Sequence, residues 1–203
     1  MILQGTPQEL ENIISEKYPA AFEAYQQSIH IPAQMLPYQA LALYALATRY
    51  NVEGANILEI GTAAGFSAAM IAQAAPLAKI VTLNPRDWEV ATAARSLEPW
   101  PNVTTVKAAS WDYLDAYQGP QLDMVFVDGD HNRVPKDLPW YNWLKVGGLM
   151  LFHDYSETAC PAVYKTVNRM IIDFNRLLDV KIIDNNKIGL AGFYRWDNEV
   201  WIV

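Results

Sequence analysis

The residues able to do chemistry in this 203-residue sequence fall into three short runs. The first is Asn56-Ile57-Leu58-Glu59-Ile60-Gly61-Thr62-Ala63-Ala64-Gly65-Phe66-Ser67, where an apolar run ends in an acid and a glycine-bearing turn. A strand that turns through glycine into a helix leaves free backbone N–H groups at the carboxyl edge of a sheet, where nucleotide-like ligands bind. An acid at the end of a buried strand costs desolvation unless something pairs with it. Glu59 therefore asks for a positively charged ligand group, or for N–H donors across the turn. The second run, Asp128-Gly129-Asp130-His131, and the third, His153-Asp154, close two further apolar segments. Adjacent parallel strands end about 5 Å apart. Asp128 and Asp154, at two such ends, repel each other unless a cation or a proton lies between them. A hard divalent ion such as Mg²⁺ takes oxygen ligands and keeps waters that a substrate can displace.

The elements that must position these runs alternate. Apolar segments at Asn56–Ile60, Lys79–Leu83, Val103–Ala108, Leu122–Val127 and Leu149–His153 predict strands. Helical spacing between and after them predicts helices at Ser67–Ala74, Trp88–Leu97, Trp111–Tyr117, Pro135–Leu144 and Ala162–Leu178. Continuous apolar strands separated by helices imply a doubly wound α/β sheet, mostly parallel and covered on both faces. Val180–Ile183 and Leu190–Trp196 flank Asp184-Asn185-Asn186-Lys187, which is turn chemistry, so the chain ends in an antiparallel hairpin and the sheet has seven strands. Thr6-Pro7-Gln8-Glu9 starts a helix, and helical patterning fills the first fifty residues. The whole chain, 1–203, reads as one domain: a helical leader over 1–50 and a Rossmann-like core over 51–203.

Composition narrows the partners. Half the residues are apolar, 52%, and 18% are charged, so the chain folds as a globule. A net charge of −7 and the lack of any basic block argue against nucleic acid. No signal peptide is expected after Met1-Ile2-Leu3, and no apolar run is long enough to span a membrane. Cys160 is the single cysteine, so no internal disulfide forms and a cytoplasmic location is expected. With no His or Asn near it in sequence, Cys160 reads as a packed thiol rather than a nucleophile.

The spacing Glu59-x-Gly61-x-x-x-Gly65 is not the G-x-G-x-x-G of dinucleotide binders, because Ala63 stands where the second glycine belongs. Leading helices, a strand ending in Glu59-x-Gly61, five parallel strands and a terminal hairpin together resemble class I S-adenosylmethionine-dependent methyltransferases. Phe126-Val127-Asp128-Gly129-Asp130-His131, followed by Val146-Gly147-Gly148-Leu149-Met150-Leu151-Phe152-His153-Asp154, is similar to the catechol O-methyltransferase-like group and its bacterial small-molecule and sugar O-methyltransferases.

The resemblance implies an enzyme that methylates an oxygen of a small hydroxylated acceptor from S-adenosylmethionine, in a family where homodimers are common. Glu59 and Gly61 would line the methionine and ribose part of the cofactor. Thr62, Ala63, Gly65, Ser67 and Asp128 would belong to the same pocket. Where the family ends its second strand in a ribose-binding acid, this sequence has Asn84, which lacks an acid's charge-assisted bonds. Asp87 is the nearby acid, read as a solvated helix start. Ala109 and Ser110 fall where the family contacts adenine, and Trp111 either stacks on the base or covers the core. Asp128 and Asp154 would be metal ligands, with His153 as a third that suits Mn²⁺, Fe²⁺ or Zn²⁺ better than Mg²⁺. Asp130 is a weaker candidate. His131 matches a general base and, with Asp128, would carry the catalysis.

Around these, Arg133, Lys136 and Asp137 read as a solvated first turn. Trp140, Tyr141 and Trp143 read as core, and His30 as surface. Met35, Tyr38 and Gln39 could lie over the acceptor as a lid. Two other readings stay open: a binding protein on the same fold that lost its grip on the cofactor through Asn84, and a metal-dependent hydroxylase-like relative built on His153, Asp154 and Asp128.

Overall fold

The computed structural model describes residues 1–197 and 199–201. In chain order its elements are β1 (Ile2–Gly5), α1 (Pro7–Lys17), α2 (Pro19–Ser28), α3 (Pro37–Ala47), β2 (Asn56–Ile60), α4 (Phe66–Ala74), β3 (Lys79–Asn84), α5 (Asp87–Ser96), β4 (Val103–Lys107), α6 (Ser110–Asp115) and β5 (Leu122–Val127). A 3-10 run (Val134–Trp143) follows, then β6 (Leu144–Phe152), α7 (Pro161–Asp173), β7 (Val180–Asp184) and β8 (Gly189–Tyr194).

The strands form one sheet in the order β1-β7-β8-β6-β5-β2-β3-β4. Strands β2 to β6 pair in parallel, and β8 runs antiparallel between β6 and β7. The expected doubly wound sheet with its terminal hairpin is present. The chain leaves β2 toward β3 and β4 on one side and returns through β5 and β6 on the other. The gap between the carboxyl ends of β2 and β5 is therefore the switch point where open α/β sheets bind their ligands.

Alternate residues of each strand feed two apolar layers. Ile57, Phe126 and Leu151 face a core shared with Leu10, Leu41 and Met70. Leu58, Val125 and Phe152 face another, with Trp140, Val163 and Phe193. That two-sided burial is what makes the strands read as unbroken apolar runs.

Two expectations need correction. The leader is not wholly helical: β1 adds an eighth strand at the sheet edge, parallel to β7 with Leu3 opposite Ile182. Four residues held by main-chain pairing, including the Met1 ammonium on the Asp179 carbonyl at 2.7 Å, carry too little side-chain pattern to announce a strand. The segment expected as a helix over Pro135–Leu144 is 3-10 instead. Pro139, inside the run, lacks the N–H that an α-helical turn needs.

Candidate active site

Gly61 and Asp128 stand on opposite sides of the switch point. The Asp128 N–H reaches the Ile60 carbonyl at 2.8 Å, and the Gly61 N–H reaches Leu83 at 2.9 Å. Gly61 has φ +105, and a Cβ there would sit 2.1 Å from the Asp128 carbonyl oxygen. The close approach that this glycine permits is between the two loops, rather than only toward a ligand. Gly65, at φ +98, starts α4, and a Cβ on it would meet the Leu97 side chain at 2.9 Å. In this geometry it makes the turn and packs α4 against Leu97.

Glu59 is fully buried. Thr62 donates to Thr82 Oγ1 at 2.6 Å, and Thr82 in turn donates to Glu59 Oε2. The other carboxylate oxygen, Oε1, is buried without a partner. Burial pushes the Glu59 pKa up to about 7; the hydroxyls of Ser67 and Thr82 offset part of this, and the charge of Asp128 adds to it. A buried acid with an open oxygen is the arrangement that a ligand cation completes. Thr62 and Ser67 are buried close to that acid, while Ala63 is exposed at φ +43.

Asn84 is buried at the end of β3, and its Oδ1 accepts the Arg86 N–H at 2.9 Å. Its NH₂ and the second lone pair of Oδ1 are left to meet a ligand. Asp87 does not stand in for it, because Asp87 is exposed and paired with Lys107 at 2.7 Å. Ala109 precedes α6 in extended conformation. The Ser110 hydroxyl donates to Asp137. Asp137 was expected in solvent. It is instead 2% exposed, and burial raises its pKa to about 7. Trp111 is half-buried beneath cations: Lys136 lies 4.6 Å and Arg133 5.5 Å from its ring centre. Trp140 and Tyr141 are core residues as read, with Tyr117 edge-on to Trp140 and Trp143. His30 is exposed.

Beyond β5 and β6 the charged side chains converge. His153 Nδ1 lies 3.0 Å from Asp128 Oδ1 and 3.2 Å from Asp154 Oδ2. Its Nε2 lies 3.1 Å from the Gln39 side-chain oxygen, which also accepts the Leu36 N–H at 2.9 Å. That second bond fixes the orientation of the Gln39 amide, so His153 Nε2 carries a hydrogen. Burial alone would lower the His153 pKa; the carboxylates of Asp128 and Asp154 outweigh it and hold it up at about 10. An imidazolium is thus the cation that separates the two acids. One donor atom each from Asp128, His153 and Asp154 lie within 4.8 Å of one another, so an ion could replace the Nδ1 proton. Asp130 is exposed and caps its own loop through Asn132 at 3.0 Å, which removes it from the ligand set.

Asp154 has φ +53, a left-handed backbone that non-glycine residues adopt at a cost. This turn brings its carboxylate within reach of both histidines. Asp154 Oδ2 also lies 3.2 Å from His131 Nε2. The hydrogen bond to Asp154 raises the His131 pKa against the effect of burial. Although burial acts the other way, the two imidazoles hold the Asp154 carboxyl well below the usual carboxylate range. His131 Nδ1 faces Cys160 Sγ at 3.6 Å, so the thiol that looked isolated in sequence has a histidine neighbour in space.

A cavity of about 10 Å³, room for one water, is walled by Gly129, His131, Val134, Asp137 and Val163. A larger cleft of about 480 Å³, lined by Glu23, Tyr44, Gln73 and Trp100, lies toward the opposite ends of the strands and has no part in this cluster.

Residues 58–155 match the family described as a methyltransferase domain. Just under half of the chain is thus similar to a methyltransferase domain. That span runs from inside β2 to the residue after Asp154, so it contains both halves of the site. No curated protein matches the sequence. Solved structures with the same fold include an O-methyltransferase from Bacillus cereus in complex with SAH, 18% identical, with a TM-score of 0.64 over 92% of this chain and 97% of that one. The SAH-bound methyltransferase PaMTH1 of Podospora anserina is 16% identical, with a TM-score of 0.68 over 94% and 95%. The O-methyltransferase TomG of Streptomyces achromogenes, in complex with SAM, is 21% identical, with a TM-score of 0.63 over 87% and 88%. The fold of the chain is the fold of these solved methyltransferase structures. No helix among the described residues is long and apolar enough to cross a membrane.

Two residues of the site escaped the sequence reading. Sequence places Gln39 only in a lid and Asp137 in solvent. Both are polar side chains on predicted helical faces, and nothing in their local spacing marks a partner more than twenty residues away.

Proposed function

We propose that this chain transfers a methyl group from S-adenosylmethionine to an oxygen of a small hydroxylated molecule. The observation that carries the reading is the unpartnered, fully buried Glu59 Oε1, at a turn locked by Gly61 against the loop that bears Asp128 and His131. Bound S-adenosylmethionine supplies an electrophilic methyl group and carries cationic groups.

The chain's own residues supply the rest. Glu59 takes the ligand's positive charge, which resolves the cost of its burial. The Asn84 NH₂ donates to a ribose oxygen. His131 accepts the proton of the acceptor hydroxyl at Nδ1, because Asp154 holds Nε2–H and so fixes which nitrogen is basic. The turn of β2 and the tip of β5 hold donor and acceptor in register, the positional part of catalysis. Asp128, His153 and Asp154 would hold a divalent ion, which when bound would lower the pKa of the acceptor hydroxyl. The leader supports the same pocket through Gln39 on His153 and through the Tyr38 hydroxyl on Ile188 at 2.6 Å.

Methyl-labelled S-adenosylmethionine incubated with a panel of small catechols, sugars, phenols, amines and thiols tests the reading. Label recovered as a methyl ether, and lost with His131→Ala, supports it. Label on nitrogen or sulfur would overturn the assignment to oxygen.

A further inference from the structure

Cys160 is absent from the chemistry described so far, and it is the only cysteine of the chain. It sits just ahead of α7, with its N–H on the Ser156 carbonyl at 3.2 Å and its own carbonyl accepting from Tyr164 at 3.1 Å, so the thiol is carried on fixed backbone. Its sulfur lies 3.6 Å from His131 Nδ1. On the other side of the ring, Nε2 meets Asp154 at 3.2 Å. One donor atom from each of Cys160, His131 and Asp154 lie within 4.8 Å of one another.

We infer that Cys160 and His131, supported by Asp154, form a binding site for a soft divalent cation of the Zn²⁺ type, which shares Asp154 with the Asp128–His153–Asp154 group but takes its ligands from sulfur and imidazole. Zinc about 2.3 Å from sulfur and about 2.0 Å from nitrogen, at a tetrahedral angle, spans roughly 3.5 Å between them. The observed spacing matches that span without movement of either residue. The Asp154–His131 contact supplies the outer carboxylate that commonly orients a zinc-bound imidazole. Sulfur sets the site apart in kind: thiolate with imidazole selects Zn²⁺, whereas the neighbouring carboxylates accept harder ions. Burial, and then the charges of Asp154 and Asp128, push the Cys160 thiol pKa up, so a thiolate here is favoured when it arrives with a cation. His131 is 39% exposed, so an ion can enter and the remaining coordination goes to water. The inference does not depend on methyl transfer, although an ion on His131 Nδ1 would silence that base.

Titration of the full chain with Co²⁺ alone, followed in the near ultraviolet, is the first test. A sulfur-to-cobalt charge-transfer band that saturates, is displaced by Zn²⁺, and disappears in Cys160→Ser and in His131→Gln is expected. A band unchanged in Cys160→Ser, or saturable Co²⁺ binding with no such band, would overturn the inference. A second measurement needs no variant. Zn²⁺ should slow alkylation of Cys160 by iodoacetamide at least about tenfold by mass spectrometry, and equal rates with and without saturating Zn²⁺ would refute the site.

Discussion

Gly61 and Asp128 touch backbone to backbone: a Cβ on the glycine would stand 2.1 Å from the aspartate's carbonyl oxygen. The contact joins the turn after β2 to the loop after β5, so the candidate cofactor side and the candidate reaction side are one rigid unit. Gly61→Ala should cost about 2–5 kcal/mol, from left-handed backbone strain together with overpacking. Urea unfolding with the slope unchanged checks this, and a loss under about 0.5 kcal/mol would mean that the loops separate freely.

Glu59 gives a stability signature. Its unfolded pKa is the ordinary 4.5 and its folded pKa is about 7, so the folded chain holds the extra proton between those values. The stability linked to that proton is complete below about pH 4.5 and is lost as pH rises through about 7. Glu59→Gln should therefore be more stable than wild type at pH 8 and nearly equal at pH 4.5. Thermal melts of the two proteins at both pH values measure the difference.

Asn84 accepts the Arg86 N–H at its oxygen and offers a ligand its NH₂ and one remaining lone pair, all uncharged. Asn84→Asp puts a charged acceptor at the same place. It should tighten S-adenosylhomocysteine by about tenfold, the scale of one charge-assisted hydrogen bond. Unchanged affinity would show that the ribose does not reach the end of β3.

His131 and Asp154 divide the acid–base work. His131→Ala should lower turnover by about two to four orders of magnitude with little change in cofactor affinity. Because Asp154 holds the His131 pKa above its ordinary value, activity should climb with pH through a point above the usual histidine range. Asp154→Asn should move that climb to lower pH, and an unmoved profile would assign the titration to another group.

Much of this architecture was legible in the residues. The Asn56–Ile60 and Leu122–Val127 runs announce buried parallel strands, because both of their faces meet a helical layer. Glu59, Asp128 and Asp154 stand out because charged residues rarely end such runs without a reason. What stayed hidden was set by distance or by conformation. Gln39 reaches His153 across 114 positions. Asp137 meets Ser110 across 27 positions, from a segment that is 3-10 rather than α-helical. Cys160 faces His131 across 29 positions. The edge strand β1 depends on main-chain pairing, which side-chain pattern does not encode.

Calorimetric titration of S-adenosylmethionine into wild type and Glu59→Gln at pH 6 and pH 8 tests the central claim most directly. Saturable one-site binding that strengthens with pH in wild type, and is at least about tenfold weaker and flat with pH in Glu59→Gln, is the predicted result. Absence of heat at millimolar ligand, or equal affinity in the two proteins, would contradict it.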